Sequence, residues 1–312
     1  MGHLEADILL AQPRGFCAGV DRAIQIVQEA LHRFGSPIYV RHQIIHNARV
    51  IAELSAQGAI FIDQLSEVPD GSTLIFSAHG VSAEIKYQAS LRNLQIFDAT
   101  CPLVTKVHVE VRKLHATGIP IVMIGHQGHP EVDGTMGQVK GNIYLVEKVA
   151  DVAHLMLNNN QQVAYVTQTT LSVDETKEII SALKARFQNI VEPKKQDICY
   201  ATQNRQDAVK ELVPLVDIMI VVGSANSSNS NRLRELAARM GVEAYLVDDP
   251  GLVRQDWFLN KKRVGVTAGA SAPEVLTQEI VAMIKSFGLS VVKTLPGIEE
   301  KVVFTMPKGL QA

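Results

Sequence analysis

The sequence predicts an α/β protein made of three similar units, each with a parallel sheet covered by helices. Short runs rich in β-branched residues alternate with amphipathic stretches, which is the pattern of repeated strand–helix units. The three cysteines, Cys17, Cys101 and Cys199, each follow such a run or a turn, and each opens a helical stretch. With 312 residues, 46% hydrophobic and 20% charged, the chain has the composition of a globular protein with a sizeable core.

Nine short apolar runs bounded by turn residues are predicted as strands. In chain order they are DILLA, PIYV, TLIFS, QIFD, IPIVMIG, VAYVT, DIMIVVG, EAYLV and VGVTAG. The stretches between them carry apolar residues at helical spacing. In residues 20–34, for example, these residues recur from Val20 to Leu31, and Gly35 ends the helical run.

Each unit repeats one layout when its cysteine is taken as the origin. A basic residue follows five or six positions later, at Arg22, Lys106 and Arg205. A strand end and polar loop begin 22 residues after each cysteine, and another strand ending in small or polar residues follows further on. The repeat predicts three lobes and a C-terminal tail that folds back on them, with the boundaries 1–97 (containing Cys17), 98–195 (Cys101), 196–285 (Cys199) and 286–312.

The equivalent positions of the cysteines predict that the three thiols form one metal site. Each thiol would lie near a helix N-terminus, where the helix dipole favours the thiolate. Iron–sulfur clusters usually have four cysteine ligands, so three thiolates suit a cluster with one iron open to substrate. Zinc is the other interpretation, although structural zinc prefers four ligands in closely spaced pairs. A disulfide framework is not expected, because the count is odd and the cysteines lie far apart.

Two loops rich in small polar residues predict an anion site. Residues 226–231, NSSNSN, run directly into a helical pattern, so their hydroxyl, amide and backbone N–H groups would surround an anion. A simple helix cap is the alternative interpretation of this loop. Ser271 precedes another helix in TAGASAPE. Histidine can donate from either ring nitrogen, and the residues predicted to form a phosphate or diphosphate cage are His46, His79, His129, Ser227, Ser228, Asn229 and Ser271.

Glu131 lies two residues after His129 and is the predicted proton donor. A carboxyl group beside a cluster and an anionic substrate should have its pKa raised by like charge and poor hydration. Thr169, in TQTT, would orient the substrate or relay the proton. A helical first-turn carboxylate without a catalytic role is the other interpretation of Glu131.

Charge and hydropathy exclude several functional classes. The 30 basic and 32 acidic residues give a formal net charge of −2, unlike a typical basic nucleic-acid binder. No apolar run approaches the ~18–20 residues of a membrane span, and no signal-peptide pattern opens the sequence. We therefore expect a cytoplasmic protein that binds neither nucleic acid nor membrane. Because no flavin or nicotinamide fingerprint is evident, electrons would come from an external partner.

Eight motifs together resemble one enzyme family. In order they are PRGFCAGVDRAI, FSAHGVS, DATCPLVTKVH, GHQGHPEVDGTMGQ, TQTTLS, DICYATQNRQ, GSANSSNSNRL and GVTAGASAP. The chain is similar, from about residue 7 to residue 306, to the 4-hydroxy-3-methylbut-2-enyl diphosphate reductases. These LytB-type enzymes catalyse the last step of the methylerythritol phosphate route to isoprenoid precursors. The departures lie in MGHLEA at the N-terminus and in the linkers.

The resemblance implies an oxidoreductase that removes the allylic hydroxyl of its substrate. Two electrons and protons would yield isopentenyl and dimethylallyl diphosphates. The implied fold is a three-lobed α/β trefoil around a [4Fe–4S] cluster, whose fourth iron meets the substrate oxygen. Loss of that iron would give a [3Fe–4S] form. A ferredoxin or flavodoxin would supply the electrons.

The resemblance also implies a role for each candidate residue. The implied cluster ligands are Cys17, Cys101 and Cys199. The implied diphosphate ligands are the seven residues of the predicted cage. The implied catalytic group consists of Glu131, Thr169 and His129, with Glu131 delivering protons.

Two other functions fit parts of the sequence. A non-enzymatic iron–sulfur sensor would use the open iron to detect oxygen or a ligand, and would bind the diphosphate without turnover. A zinc-dependent hydrolase of phosphorylated substrates would use His126, His129 and Glu131, and would leave the cysteines without a role. Zinc without sulfide would favour the hydrolase.

Overall fold

The computed structural model describes residues 7–311, so the predicted departure at MGHLEA lies outside the described residues. The strands in that range are β1 (Ile8–Leu10), β2 (Ile38–Arg41), β3 (Ala59–Ile62), β4 (Thr73–Phe76), β5 (Gln95–Asp98), β6 (Ile121–Ile124), β7 (Ile143–Val146), β8 (Gln162–Thr167), β9 (Asn189–Val191), β10 (Ile218–Val222), β11 (Glu243–Val247), β12 (Val264–Ala268) and β13 (Val292–Thr294). The α-helices are α1 (Ala18–Phe34), α2 (Ala48–Ala56), α3 (Ala83–Ser90), α4 (Pro102–Ala116), α5 (Pro130–Met136), α6 (Val149–His154), α7 (Val173–Arg186), α8 (Tyr200–Leu212), α9 (Ser228–Arg239) and α10 (Glu274–Ser286). Short 3₁₀ turns cover Leu65–Glu67, Val213–Leu215, Pro250–Leu252 and Gln255–Phe258.

Three parallel sheets share one strand order. Two of them have four strands, in the orders β3-β2-β4-β5 and β7-β6-β8-β9. The other runs β11-β10-β12-β1-β13, so β1 occupies the place that β5 and β9 occupy in the four-stranded sheets. Every pairing between these strands is parallel. The predicted α/β class with three similar, helix-flanked sheets is confirmed.

The strand in this shared place leads to a cysteine in each repeat. β5 precedes Cys101, β9 precedes Cys199, and β1 precedes Cys17. Each of these strands completes the sheet of the preceding repeat, and β1 completes the sheet formed by the last one. The stretch predicted as the first lobe therefore contributes a strand to the sheet of the third.

The chain divides into two compact units. The first unit contains the described residues up to Ala18, together with His46–Ala48 and Tyr200–Val303, and holds the five-stranded sheet. The second unit contains Gly19–Ile45, Arg49–Cys199 and the described residues from Phe304 onward, and holds both four-stranded sheets.

The five-stranded sheet of the first unit is buried on both faces. Ile218 and Ile220 lie in an apolar cluster with residues of α10, whereas Met219 and Val221 lie in a second cluster with residues of α8 and α9. A parallel strand covered on both faces is expected to read as a continuous apolar run, as IMIVV in β10 does. Burying each such side chain contributes about 1.5–3 kcal/mol.

The β6–β9 sheet of the second unit follows the same rule. Val122 and Ile124 pack in a cluster with α7, while Ile121 and Met123 pack in a cluster with α4. Candidate functional residues therefore follow central strands, β6, β10 and β12, that are fully buried.

The structure also shows where the sequence prediction falls short. The helix predicted for residues 20–34 is confirmed as α1, but the edge strands β3 and β7 were not predicted. Ile60 of β3 is 42% exposed, but both strands are continuous apolar runs, AIFI and IYLV, so the sequence carries a strand signal that the prediction overlooked. No helix among the described residues is long and apolar enough to cross a membrane.

Candidate active site

Each of the three cysteines lies at the start of a helix, as the sequence predicts. Cys17 directly precedes α1, Cys101 is the N-cap residue of α4, and Cys199 directly precedes α8. All three are half-buried. The positive end of a helix dipole stabilises a thiolate relative to a thiol, so each position suits a thiolate ligand for iron.

A common backbone hydrogen bond fixes each cysteine. The amide N–H of the cysteine donates to a carbonyl two residues beyond the end of β4, β8 or β12. The bonds are Cys101 to Ala78 at 3.0 Å, Cys199 to Thr169 at 3.0 Å and Cys17 to Ala270 at 3.3 Å. The three cysteines are therefore equivalent in their local structure as well as in their spacing along the chain.

Glu131 lies in the first turn of α5 and is only 3% exposed. Thr169, which follows β8, donates to both of its carboxyl oxygens. The Thr169 backbone N–H lies 2.6 Å from Oε1, and the Thr169 hydroxyl lies 3.0 Å from Oε2. The sequence prediction that Thr169 acts with Glu131 thus has a direct geometric counterpart.

Burial raises the pKa of the Glu131 carboxyl to about 7. The two hydrogen bonds from Thr169 oppose this rise, because they favour the charged carboxylate, and the charge of Asp197 adds to it. A carboxyl group with this pKa is protonated in a large fraction of molecules near neutral pH, and can therefore act as a general acid.

His129 caps the helix that carries Glu131. Its Nδ1 accepts the backbone N–H of Glu131 at 3.1 Å, so in the neutral ring the proton is on Nε2. The ring of His79 meets the ring of His129 edge to face, with centroids 5.7 Å apart. The His79 Nδ1 also lies 3.4 Å from the Ser77 hydroxyl. The backbone therefore directs Nε2 of His129 to act as a hydrogen-bond donor.

Ser227 and Ser271 meet in the first unit. Ser227 is the N-cap of α9, and its Oγ accepts from the backbone N–H of Ser230 at 3.3 Å. The Ser271 hydroxyl lies 3.2 Å from Ser227 Oγ and 3.0 Å from the His46 carbonyl oxygen. A hydroxyl has one donor and two acceptor positions, so Ser271 donates to only one of these two oxygens at a time, and Ser227 Oγ accepts from at most two of its neighbours.

Asn229 braces the same loop from inside the helix. It is 3% exposed, its Oδ1 accepts the Ala270 backbone N–H at 2.9 Å, and its Nδ2 donates to the Thr202 hydroxyl at 3.3 Å. Because Ala270 also accepts from Cys17, Asn229 and the cysteine hold the same turn from two sides. Ser227 does cap α9, as the alternative interpretation of NSSNSN expects, but Ser227 and Asn229 are buried rather than solvated.

The predicted residues are divided between the two units. In the first unit they are Cys17, His46, Ser227, Ser228, Asn229 and Ser271. In the second unit they are Cys101, Cys199, His79, His129, Glu131 and Thr169.

Ser230 packs with these residues, although the predicted cage named only Ser227, Ser228 and Asn229 from the 226–231 loop. It is fully buried, and its hydroxyl lies 3.0 Å from Ser227 Oγ. A Cβ placed on Gly223 or Gly269 would come within 2.2 Å or 2.0 Å of Ser230 Oγ, so both positions need glycine for steric reasons. The signal in the sequence was the glycine directly after each of the buried runs IMIVV and VGVTA.

The zinc interpretation loses its ligand set. Among residues 7–311, no three His, Cys, Asp or Glu side chains form a group that could hold a single metal ion. His126, His129 and Glu131 therefore do not make the predicted zinc site. In an iron–sulfur cluster each thiolate holds a different iron, so this result bears on mononuclear sites such as zinc.

The comparisons with known proteins cover almost the whole chain. The profile of the LytB protein family matches residues 8–285. A 4-hydroxy-3-methylbut-2-enyl diphosphate reductase from a Polaromonas species is 63% identical, with 98% of this chain and 92% of the relative covered. The enzyme of the same name from Ralstonia nicotianae is 62% identical, with 98% and 95% covered.

Two solved structures have the same fold. The E-1-hydroxy-2-methyl-but-2-enyl-4-diphosphate reductase of Plasmodium falciparum matches with a TM-score of 0.94 and 41% identity, covering 98% of this chain and 97% of its own. A structure of (E)-4-hydroxy-3-methyl-but-2-enyl diphosphate reductase, described as the terminal enzyme of the non-mevalonate pathway, matches with a TM-score of 0.65 and 33% identity. It covers 90% of this chain and 99% of its own.

Proposed function

The chain belongs to the LytB protein family, and from this membership we propose that it reduces 4-hydroxy-3-methylbut-2-enyl diphosphate. The reaction removes the allylic hydroxyl as water and consumes two electrons and two protons. Its products are isopentenyl diphosphate and dimethylallyl diphosphate. The enzyme is accordingly an oxidoreductase of isoprenoid biosynthesis.

We propose that Cys17, Cys101 and Cys199 are the protein ligands of a [4Fe–4S] cluster. Their equivalent places at helix starts and their equivalent backbone anchors support this assignment. A bound cluster of this kind supplies electrons one at a time and offers an iron without a protein ligand as a Lewis acid. The protein contributes three thiolates stabilised by helix N-termini.

We propose Glu131 as the proton donor, with Thr169 and His129 as its catalytic partners. Thr169 holds both carboxyl oxygens in place and would pass a proton between Glu131 and the substrate. The burial that raises the pKa of Glu131 to about 7 also keeps bulk water away from the group. His129 is directed to donate from Nε2 by its bond to the Glu131 backbone.

The diphosphate would be held by hydroxyl, amide and imidazole donors. In the first unit the proposed ligands are His46, Ser227, Ser228, Asn229 and Ser271, and in the second unit they are His79, His129 and Thr169. Ser227 and Ser228 also offer the N-terminus of α9, whose backbone N–H groups and dipole favour an anion. Fixing the diphosphate in this way would fix the position of the reacting hydroxyl.

The electrons would come from a ferredoxin or flavodoxin type of donor. We propose that the enzyme works in the cytoplasm, because thiolate ligands and a reduced cluster need a reducing compartment. If the isolated protein loses the one iron that no cysteine binds, it would hold a [3Fe–4S] cluster.

The observation that carries the proposal within this chain is Glu131, buried beside the loop of Cys199 and held by Thr169. The test is anaerobic purification with iron, sulfide and zinc analysis, followed by Mössbauer spectra with and without the hydroxymethylbutenyl diphosphate. We expect iron and sulfide in equal amounts, an iron signal that shifts with substrate, and turnover with a reductant. Zinc without sulfide would indicate the hydrolase, and diphosphate binding without turnover would indicate the sensor.

A further inference from the structure

The three basic residues that follow the cysteines by five or six positions have a common use. Arg22, one turn into α1, points its guanidinium at the loop before Cys101. It donates to the carbonyl oxygens of Asp98 at 3.5 Å, Ala99 at 3.4 Å and Thr100 at 3.2 Å. Its Nε donates to the Thr305 carbonyl at 2.7 Å.

Lys106 takes the equivalent place in α4. Its ammonium group donates to the carbonyl oxygens of Lys195 and Gln196, both at 2.9 Å, and to the buried carboxylate of Asp197 at 3.0 Å. These residues form the loop that leads directly to Cys199. Lys106 therefore does for Cys199 what Arg22 does for Cys101.

Arg205, in α8, is the third of these basic residues. Its side chain is fully buried and donates to the Gly15 carbonyl at 2.7 and 3.1 Å and to the Phe16 carbonyl at 3.2 Å. Gly15 and Phe16 are the two residues before Cys17. Glu300 balances the charge of Arg205 through contacts of 3.0 and 3.1 Å.

We propose that Arg22, Lys106 and Arg205 are positioning residues, each of which fixes the cysteine loop of the next repeat. The order is cyclic: the first repeat holds the second cysteine, the second repeat holds the third, and the third repeat holds the first. Each cysteine is thus held in two ways. Its own backbone N–H donates a hydrogen bond to the loop after a strand, and a cation from the preceding repeat binds the residues just before it. The proposal rests on the proposed function, because it treats the three cysteines as cluster ligands.

The three cations differ in whether a bound carboxylate balances their charge. Arg22 binds backbone carbonyls, whereas Lys106 and Arg205 also bind carboxylates that balance their charge. Burial lowers the pKa of the Arg22 guanidinium, and the charges of Cys101 and Asp98 act against this. Among the three clamps, Arg22 is therefore the one whose bonds go to backbone carbonyls alone, with no carboxylate bound to its guanidinium.

The first test is hydrogen exchange of the full-length, anaerobically purified protein, read at the cysteine amides. Arg22→Gln, Lys106→Met and Arg205→Lys each remove or weaken one clamp, and the last keeps the charge of a fully buried residue so that the protein still folds. Losing hydrogen bonds from a charged donor should speed exchange at least about tenfold at Cys101, Cys199 and Cys17, respectively. The cysteine at the start of the mutated helix should keep its wild-type rate.

The matched control is Arg186→Gln. Arg186 also clamps backbone carbonyls, those of Val152, Leu155 and Leu157, but none of these precedes a cysteine. It should leave exchange at all three cysteines unchanged. Faster exchange at the mutated repeat's own cysteine, or equally at all three, would overturn the cyclic assignment.

The second test is the midpoint potential of the cluster, which a purely structural role would not move. Removing a cation near an anionic cluster makes reduction harder, so Arg22→Gln should shift the potential to more negative values. Arg22→Lys should restore most of it, and Arg186→Gln should leave it unchanged. An unchanged potential in Arg22→Gln would overturn the electrostatic part of the proposal. A wild-type protein without a cluster would overturn the proposed function. The exchange rates at the three cysteine amides would still show whether each cation fixes the cysteine loop of the next repeat.

Discussion

Glu131 combines nearly complete burial with two hydrogen bonds from a single partner, Thr169. The partners are 38 residues apart in the chain and lie on different elements, α5 and the loop after β8. The sequence predicted both residues and their shared role. It could not predict that Thr169 binds both carboxyl oxygens, because that geometry depends on how the two loops meet.

Replacing Glu131 with glutamine should abolish most turnover while substrate still binds. The amide has nearly the same shape but cannot donate a proton as an acid, and loss of a general acid typically costs about 10²–10⁴-fold in rate. Steady-state kinetics with a chemical reductant and calorimetric titration with the diphosphate measure the two effects. Asp133→Asn on the exposed side of α5 is the matched control and should retain wild-type turnover. Normal turnover in Glu131→Gln would remove Glu131 from the proton path.

The raised pKa of Glu131 also predicts a pH-dependent stability. Because the folded-state pKa of about 7 lies above the ordinary value of 4.5, the fold favours the protonated carboxyl. This contribution is fully present below pH 4.5 and is lost as the pH rises through 7. Relative to Glu131→Gln, the wild type should therefore lose stability on the order of 3 kcal/mol between these limits. Urea unfolding of both proteins across this range measures the difference, and parallel curves would contradict the predicted titration.

Each cysteine is expected to be indispensable for the cluster. Cys17→Ser, Cys101→Ser and Cys199→Ser replace a thiolate with a hydroxyl that ionises far less readily and binds iron more weakly. All three variants should lose most iron and sulfide, since the sequence and the local structure make the positions equivalent. A variant with full iron content and full activity would exclude that cysteine as a ligand.

The turn after β4 shows how an element can depend on one residue. Gly80 has φ +78°, and a Cβ at this position would lie 2.7 Å from Cε1 of His108 and 3.1 Å from Cγ2 of Thr100. Thr100 directly precedes Cys101, and His108 lies in the helix that Cys101 opens. This turn therefore needs glycine both for its backbone conformation and for space beside a cysteine loop.

Gly80→Ala should destabilise the protein more than Gly35→Ala. Both residues have a positive φ, which costs alanine about 1–3 kcal/mol, but Gly35 has no atom within 4 Å of the added Cβ. The difference between the two variants in urea unfolding isolates the contact with His108 and Thr100. Equal losses of stability would show that the turn yields to the methyl group without cost.

The elements themselves were predictable where their signal was local. The central strands β6 and β10 are continuous apolar runs, and α1 has a clear helical period, so each was found from the sequence. The edge strands β3 and β7 were missed although AIFI and IYLV are apolar runs like that of β2, whereas β13 has three exposed residues and gives no such signal. The partner of β1 was also beyond sequence reasoning, since a pattern within one segment does not specify which distant segment it pairs with.

At the scale of the whole molecule, β1 ties the N-terminal part of the chain to its C-terminal part. It lies between β12 and β13, with Leu9 opposite Gly265 and Lys293. Leu9 is fully buried beneath α8 and α9. One strand of three residues thus completes the sheet of the first unit, and residues 11–16 lead from its end to Cys17.

Leu9→Ala should therefore cost about 2–5 kcal/mol in the free energy of unfolding, the usual range for truncating a fully buried leucine. Chemical unfolding monitored by circular dichroism measures this loss. Val303→Ala, at a position that is 89% exposed, is the control and should be neutral. A neutral Leu9→Ala would mean that the sheet does not need β1 for its stability.

The place of β1 also sets an order of events during synthesis. The strands β2–β5 and β6–β9 each come from one continuous stretch, so each of those sheets can form as soon as its stretch has left the ribosome. β1 emerges before either of them, yet its neighbours β12 and β13 lie more than 250 residues further along the chain. Cys17 therefore reaches its native place only after translation has passed Thr294. We expect iron and sulfide to be loaded onto the finished polypeptide rather than onto the nascent one.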